Sequence, residues 1–320
     1  MPFIMDYPRV VIVKGKVYIG GGWALSLRER QTVMVCDPQQ DTWFKLPPYQ
    51  YTQFALAVVN DQLVLVGGED ETTWKDTAML GVWNEQSQTW TNPFPPMPTA
   101  RHLPSVVTHD NRWLVVVGGK LELEDSLVGT VTANVEILDT TLGQWYHGAP
   151  APQPCQTAST ATVGNMCYAI GGFTKGDSSS SKVFSMCLDD LISQAVPQPA
   201  SVIVPPTQST SPLETIPHTP HTPSTLPWET LYDTPLPLST ALALNGALLA
   251  IGGLENGTRA SKAIYLYQPS SKKWVKAGEL PTVRATCACI VLTSQEILVA
   301  GGFGSIPGGV TDRVEVATLQ

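Results

Sequence analysis

The chain has 320 residues, 43% of them hydrophobic and only 14% charged, with a formal net charge of −8 at neutral pH. Without clustered Lys and Arg there is no footprint for a nucleic-acid backbone or an anionic membrane, so neither is expected as a partner. No apolar run approaches a membrane span, and Met1 to Val13 lacks the basic start and continuous apolar core of a signal peptide, which points to a cytoplasmic protein.

Taken in chain order, the first unit begins at Arg9-Val-Val-Ile-Val, turns at Lys14-Gly15 and runs through Val17-Tyr18-Ile19 into Gly21-Gly22. Val33-Met34-Val35 supplies a third strand and Trp43-Phe44-Lys45-Leu46 a fourth. The second unit repeats this with Phe54 to Val59, Leu63 to Val66, Gly67-Gly68, Val82-Trp83 and Trp90. The third uses Ser105 to Val107, Trp113 to Val117, Gly118-Gly119, Val135 to Leu138 and Trp145; the fourth uses Ala158 to Val163, Met166 to Ile170, Gly171-Gly172 and Val183 to Cys187. There the pattern stops. Residues 193–227 are crowded with Pro, Ser and Thr and contain no Lys or Arg, so a flexible loop is expected between the third and fourth strands of that unit. The pattern resumes at Trp228. Two more units follow, with Gly252-Gly253 and Trp274, then Gly301-Gly302 and Val314 to Val316.

The glycine pairs recur about every 50 residues apart from the step that carries the insertion, which is the period of a four-stranded propeller blade. Glycine lets the chain leave the second strand with positive φ or pass close to another backbone, and the tryptophan supplies a large ring to bury between sheets. With six such pairs, five followed by Trp, the pattern resembles the kelch repeat over essentially the whole chain. The resemblance implies an all-β, six-bladed kelch β-propeller of four antiparallel strands per blade, spanning residues 1–320 as one domain. The sixth unit has three strands and no Trp-led fourth. Aligning Pro8-Arg9 with Pro281 to Arg284 places Met1 to Met5 where that strand belongs, so either this segment closes the ring or the strand comes from a longer polypeptide.

Antiparallel order puts the loops joining strands two to three, and four to the next one, on one face. These are the long loops, the usual seat of recognition on a rigid scaffold. Kelch propellers generally bind a protein or peptide on such a face, so the resemblance implies an interaction module with a protein or peptide partner. With no Ser, His and acid placed together by spacing, it is expected to be non-catalytic, and a monomer is expected. Arg9, Arg101 and Arg284 occupy matching places before strand one; three guanidiniums around the channel would favour an acidic peptide, unless each instead satisfies backbone carbonyls or an acidic neighbour. Trp23, Trp74, Tyr51 and His102 are the other candidates on this face. In the insertion, Pro217 to Pro223 is compatible with a polyproline II segment, and Ser211, Thr219 and Thr222 precede prolines.

No cofactor or metal is expected. The cysteines Cys36, Cys155, Cys167, Cys187, Cys287 and Cys289 lie mostly in apolar strand text and lack the extra donors zinc requires. The copper and iron sites of kelch enzymes need constellations that five scattered histidines do not form. A kelch-type enzyme and a cytoskeletal or scaffold binder stand as the alternative readings.

Overall fold

Each glycine pair ends a second strand that is apolar on both sides, and this fixes how the sheets stack. In Gln62–Val66, Leu63 and Leu65 join one core cluster while Val64 and Val66 join another. Trp113–Val117 divides its residues in the same alternating way. Such a strand must lie between two neighbouring sheets rather than between a sheet and water. The computed structural model, which describes residues 1–123, 126–198, 228–304 and 309–318, is a β-propeller of six antiparallel blades. Six apolar clusters fill the seams between them.

Blade one runs Arg9–Val13, Lys16–Gly20, Met34–Asp37 and Thr42–Lys45. Blade two is Ala55–Val59, Gln62–Val66, Leu80–Asn84 and Thr89–Thr91; blade three is Ser105–His109, Trp113–Val117, Val135–Asp139 and Gln144–Gly148. Blade four consists of Ser159–Val163, Met166–Ile170, Val183–Cys187 and Trp228–Thr230, and blade five of Thr240–Leu244, Ala247–Ile251, Arg259–Gln268 and Lys273–Arg284. The sheet of blade six has Ala288–Val291, Glu296–Ala300 and Val314–Thr318. The first strands surround a central channel with a volume of about 490 Å³.

In blades two to five the repeated tryptophan tethers the blade to its predecessor. Trp90 Nε1 donates to the carbonyl of Pro47 at 2.8 Å, Trp145 to Pro95 at 3.0 Å, Trp228 to Ala149 at 3.1 Å and Trp274 to Tyr232 at 3.1 Å. Each acceptor belongs to the segment leaving the preceding blade. The indole thus fills the seam with its ring and satisfies an otherwise unpaired carbonyl with its N–H.

Three sequence expectations need revision. Met1 to Met5 lies in the seam between blades six and one, with Phe3 and Met5 buried beside Ile19, Leu298 and Ala300, but it forms no strand ladder. Its closing contact is the Met5 carbonyl, which accepts from Gly302 N at 2.9 Å as the carbonyls of Arg101, Cys155 and Arg284 accept from Gly68, Gly119 and Gly253. The first part of the expected flexible loop is ordered. The helix Leu188–Ser193 buries Leu188 and Leu191, and Val196–Pro197 then pairs with Tyr146 and His147 as a fifth strand on the outer edge of blade three. The rest of the insertion, including Pro217 to Pro223, Ser211, Thr219 and Thr222, lies outside the described residues. Finally, the outer hairpin of blade five is longer than its apolar text, because register shifts at Ser261/Ala263 and Ile264/Tyr265 let the pairing continue into polar sequence.

No helix among the described residues is long and apolar enough to cross a membrane.

Candidate functional site

The long-loop face is built from one short motif repeated around the channel. Three residues before strand one, the chain forms an antiparallel bridge to the residue that follows the glycine pair: Asp6 with Trp23, Thr52 with Glu69, His102 with Lys120, Gln156 with Phe173, and Ala285 with Phe303. In blade five, Leu254 N donates to the Pro237 carbonyl. The next residue has positive φ in every blade: Tyr7, Gln53, Leu103, Thr157, Leu238 and Thr286. A non-glycine residue there is uncommon, and six at one register position mark a conformation imposed by the bridge. Part of this ring is linked directly, with Leu103 N donating to Gln53 O, Thr157 N to Leu103 O and Thr286 N to Leu238 O.

Tyr7 is the one aromatic residue in that ring. Its phenol reaches the opposite side, where it meets Phe173 edge-on with centroids 5.6 Å apart and planes at 64°. Blade one therefore touches blade four across the channel mouth. This crossbar divides the mouth into two cavities. One, of about 350 Å³, is lined by Trp23, Gln53, Leu103, Gln156 and Thr157; the other, of about 360 Å³, by Leu238, Leu254, Thr286 and Phe303. Asp6, Tyr7, Phe173 and Asp177 line both.

The charge at the mouth is acidic. Asp6 Oδ1 accepts from Thr286 Oγ1 at 2.5 Å and from Tyr7 N at 2.9 Å. Burial raises its pKa from the usual carboxylate range, with those two donors opposing the shift. Burial, with the nearby Asp6 and Asp177, also pushes the Tyr7 phenol up, so it remains a neutral donor. Asp177 accepts from Gln156 Nε2 at 2.9 Å, and on the rim Glu69 accepts from Gln53 Nε2 at 2.5 Å. The mouth thus combines apolar rings, neutral donors and carboxylates.

Among curated proteins, the chain is 27% identical over 178 residues to Kelch-like protein 40 of Xenopus tropicalis, covering 55% of this chain and 28% of that protein. It is 26% identical over 194 residues to Kelch-like protein terF of Aspergillus terreus, covering 54% and 39%. Against Kelch repeat and BTB domain-containing protein 1 of vaccinia virus (strain Copenhagen), identity is 21% over 163 residues, covering 51% and 28%. The chain spans well under half the length of these relatives. Its fold matches the solved structure of YjhT over 99% of both chains, with a TM-score of 0.72 at 18% identity. No protein-family model matches. The chain is a six-bladed β-propeller whose repeats resemble those of kelch proteins.

In this kelch-like propeller, the residues anticipated from sequence are not brought together. Arg101 is fully buried. Its Nη1 donates to Gly118 O at 2.9 Å and Asn134 O at 3.4 Å, and its Nε to Thr99 O at 3.2 Å. Its Nη2 meets Glu136 at 2.7 Å, a Coulombic contact rather than an aligned hydrogen bond, and Thr99 Oγ1 donates to the other carboxylate oxygen at 2.6 Å. Arg284 repeats the arrangement three blades away, 3.3 Å from Glu315, which Thr282 also contacts. Both arginines therefore act as braces between blade elements, and the acidic-peptide expectation loses the two guanidiniums it relied on most. His102 is also buried, its Nδ1 2.6 Å from Asp76 Oδ1. Tyr51 is half-buried and packs edge-on against Tyr49.

Trp23 and Trp74 are exposed on the rim, at 45% and 61%. The guanidinium of Arg30, itself paired with Glu71, lies over the Trp23 ring at 5.1 Å. Trp74 caps the turn between Glu69–Asp70 and Lys75–Asp76.

Arg9 differs from both other arginines. It lines the channel, and the corresponding positions in the other blades are Ala55, Ser105, Ser159, Thr240 and Ala288. It is half-buried on the channel wall, and burial lowers its pKa to about 10 with no carboxylate among the described residues opposing the shift. An enclosed charge without a partner does not stabilise a fold. Arg9→Ser is accordingly expected to leave stability unchanged or raise it by up to about 1 kcal/mol in urea unfolding; a loss greater than that would mean the guanidinium braces the channel.

Among the described residues, His109, Asp110 and Asp189 are the group whose donor atoms lie close enough to hold a metal ion. They lie at a turn on the opposite face, and His109 and Asn165 both donate to or pair with Asp189 there. The mouth residues Asp6, Tyr7, Gln156, Phe173 and Asp177 were missed from sequence. A usable signal was the residue directly after each glycine pair, which aligns Trp23, Glu69, Lys120, Phe173, Leu254 and Phe303.

Proposed function

We propose that this chain is a non-catalytic protein-interaction module that binds a protein or short peptide across the long-loop face, over the divided channel mouth. The observation that carries this reading is the convergence of two open, aromatic-lined cavities on that face, with Trp23 and Trp74 exposed at its rim. Exposed aromatic anchors beside a concave site are what recognition surfaces concentrate. The kelch relatives support a role in binding proteins. An acidic motif would now have Arg9 as its main attraction, deep in the channel, whereas carboxylates stand at the mouth.

The test is affinity capture from a cell lysate with wild type, with Trp23→Ala/Trp74→Ala and with residues 199–227 deleted. A partner retained after the deletion and weakened at least tenfold by the double substitution is the expected result, each aromatic anchor contributing about 1–2 kcal/mol. Loss of the partner only on deletion would move recognition to the insertion and overturn the reading.

A further inference from the structure

The channel mouth brings two carboxylates and three aromatic rings to one cavity. We infer that this cavity receives a basic side chain of the bound protein, a lysine ammonium or arginine guanidinium, seated between Asp6 and Asp177 and against Tyr7, Phe173 and Trp23. The inference rests on the interaction-module reading and gives that site its ligand chemistry.

Three independent features support it. First, the two carboxylates are uncompensated. The partners recorded for Asp6 are a hydroxyl and a backbone N–H, and for Asp177 a side-chain amide; neither has a Lys, Arg or His within ion-pair distance among the described residues. Second, Gln156 is 4% exposed and lines the same cavity, and while its Nε2 holds Asp177, its Oε1 accepts no hydrogen bond. A buried acceptor without a donor costs stability and calls for a group that brings N–H donors. Third, the cavity is lined by the aromatic rings of Tyr7, Trp23 and Phe173, whose faces attract a cation and whose apolar surface covers an alkyl stem. Trp23 already holds one guanidinium in this way, that of Arg30.

Size agrees with this occupant. At about 350 Å³ the cavity admits one long side chain but not a folded element. An acidic side chain would face Asp6 and Asp177 across a partly desolvated site, where like charges repel most. Arg9 lies in the channel beneath the crossbar and is not part of the cavity lining.

The probes are four blocked tripeptides, acetyl-Gly-X-Gly-amide with X as Lys, Arg, Gln or Glu, together with butylammonium, titrated while following Trp fluorescence and ligand-observed NMR. Wild type is expected to bind the Lys or Arg peptide at least tenfold more tightly than the Gln peptide, with the Glu peptide weakest. Asp6→Asn/Asp177→Asn should remove that preference, a loss of about tenfold or more, since a charged hydrogen-bond partner is replaced by a neutral one. Asparagine keeps an acceptor oxygen for Thr286 and Tyr7 N, so the variant should fold; Asp177→Asn alone, at an exposed position, gives the same reading without touching Asp6. Equal binding of the Gln and Lys peptides, preference for Glu, or cation binding unaffected by the substitutions would overturn the inference. Butylammonium binding with exclusion of the Lys peptide would also overturn it, because the occupant would then be a free amine. A partner captured through Trp23 and Trp74 while all cationic probes fail would leave the interaction module standing without this ligand.

Discussion

Arg101→Ala is expected to destabilise the propeller by about 3–5 kcal/mol, the range for breaking a buried ion pair by removing one partner. The residue looks like a surface hot spot in sequence and behaves as a core brace in the structure. Both Arg101 and Glu136 have fully buried side chains, so removing the guanidinium leaves Glu136 charged and without its cation. The same change strips donors from the carbonyls of Gly118 and Asn134, which end the second strand and precede the third strand of blade three. Burial alone lowers the pKa of Arg101, and Glu136 is the chief group opposing that shift. The charge is therefore held by its pair. In urea unfolding, Arg101→Ala/Glu136→Ala should lose less than the two single changes combined, because the double variant leaves no orphaned charge. If Arg101→Ala instead unfolds like wild type and loses a captured partner, the brace assignment is wrong and the residue faces a ligand.

The structure realises the alternative in which each arginine satisfies carbonyls and an acidic neighbour, and why that neighbour was not legible follows from distance along the chain. A turn residue with a matching position in other repeats invites a role at the channel mouth. Its carboxylate partner, however, lies on the third strand of the blade that the arginine leads into: Glu136 for Arg101 and Glu315 for Arg284. Nothing local to Arg101 names that partner, although the shared Thr99-Ala-Arg101 and Thr282-Val-Arg284 spelling marks the two sites as one device. The six blades were legible because their signals are local and repeated: a strand, a glycine pair, a tryptophan at a bounded distance. The indole bonds to the preceding blade explain why that distance is kept. The divided mouth was not legible because Tyr7 and Phe173 come from blades on opposite sides of the ring, and no sequence period records a contact across it. The ordering of Val196–Pro197 was hidden for a related reason: its partners Tyr146 and His147 belong to another blade, so polar composition alone read as loop.

Gly118→Ala is expected to cost about 2–5 kcal/mol, and it separates two reasons for a glycine at the end of a second strand. Gly118 has φ +63°, where an L-residue costs about 1–2 kcal/mol. A Cβ there would also lie 2.1 Å from the carbonyl oxygen of Cys155, in the lead-in to blade four. Cys155 O accepts from Gly119 N at 2.8 Å, so the carbonyl cannot retreat without giving up the contact that docks one blade on the next. Overpacking of this kind adds about 1–3 kcal/mol. Gly164 provides the control. It has φ +57°, but an added Cβ would meet nothing within 4 Å, so Gly164→Ala should cost only the conformational part, about 1–2 kcal/mol. Urea unfolding of the two variants beside wild type measures the difference. A clearly larger loss for Gly118→Ala means the glycine pair exists to let neighbouring blades approach; equal losses would mean that backbone handedness alone explains the repeat, and that the seam tolerates a methyl group at its tightest point.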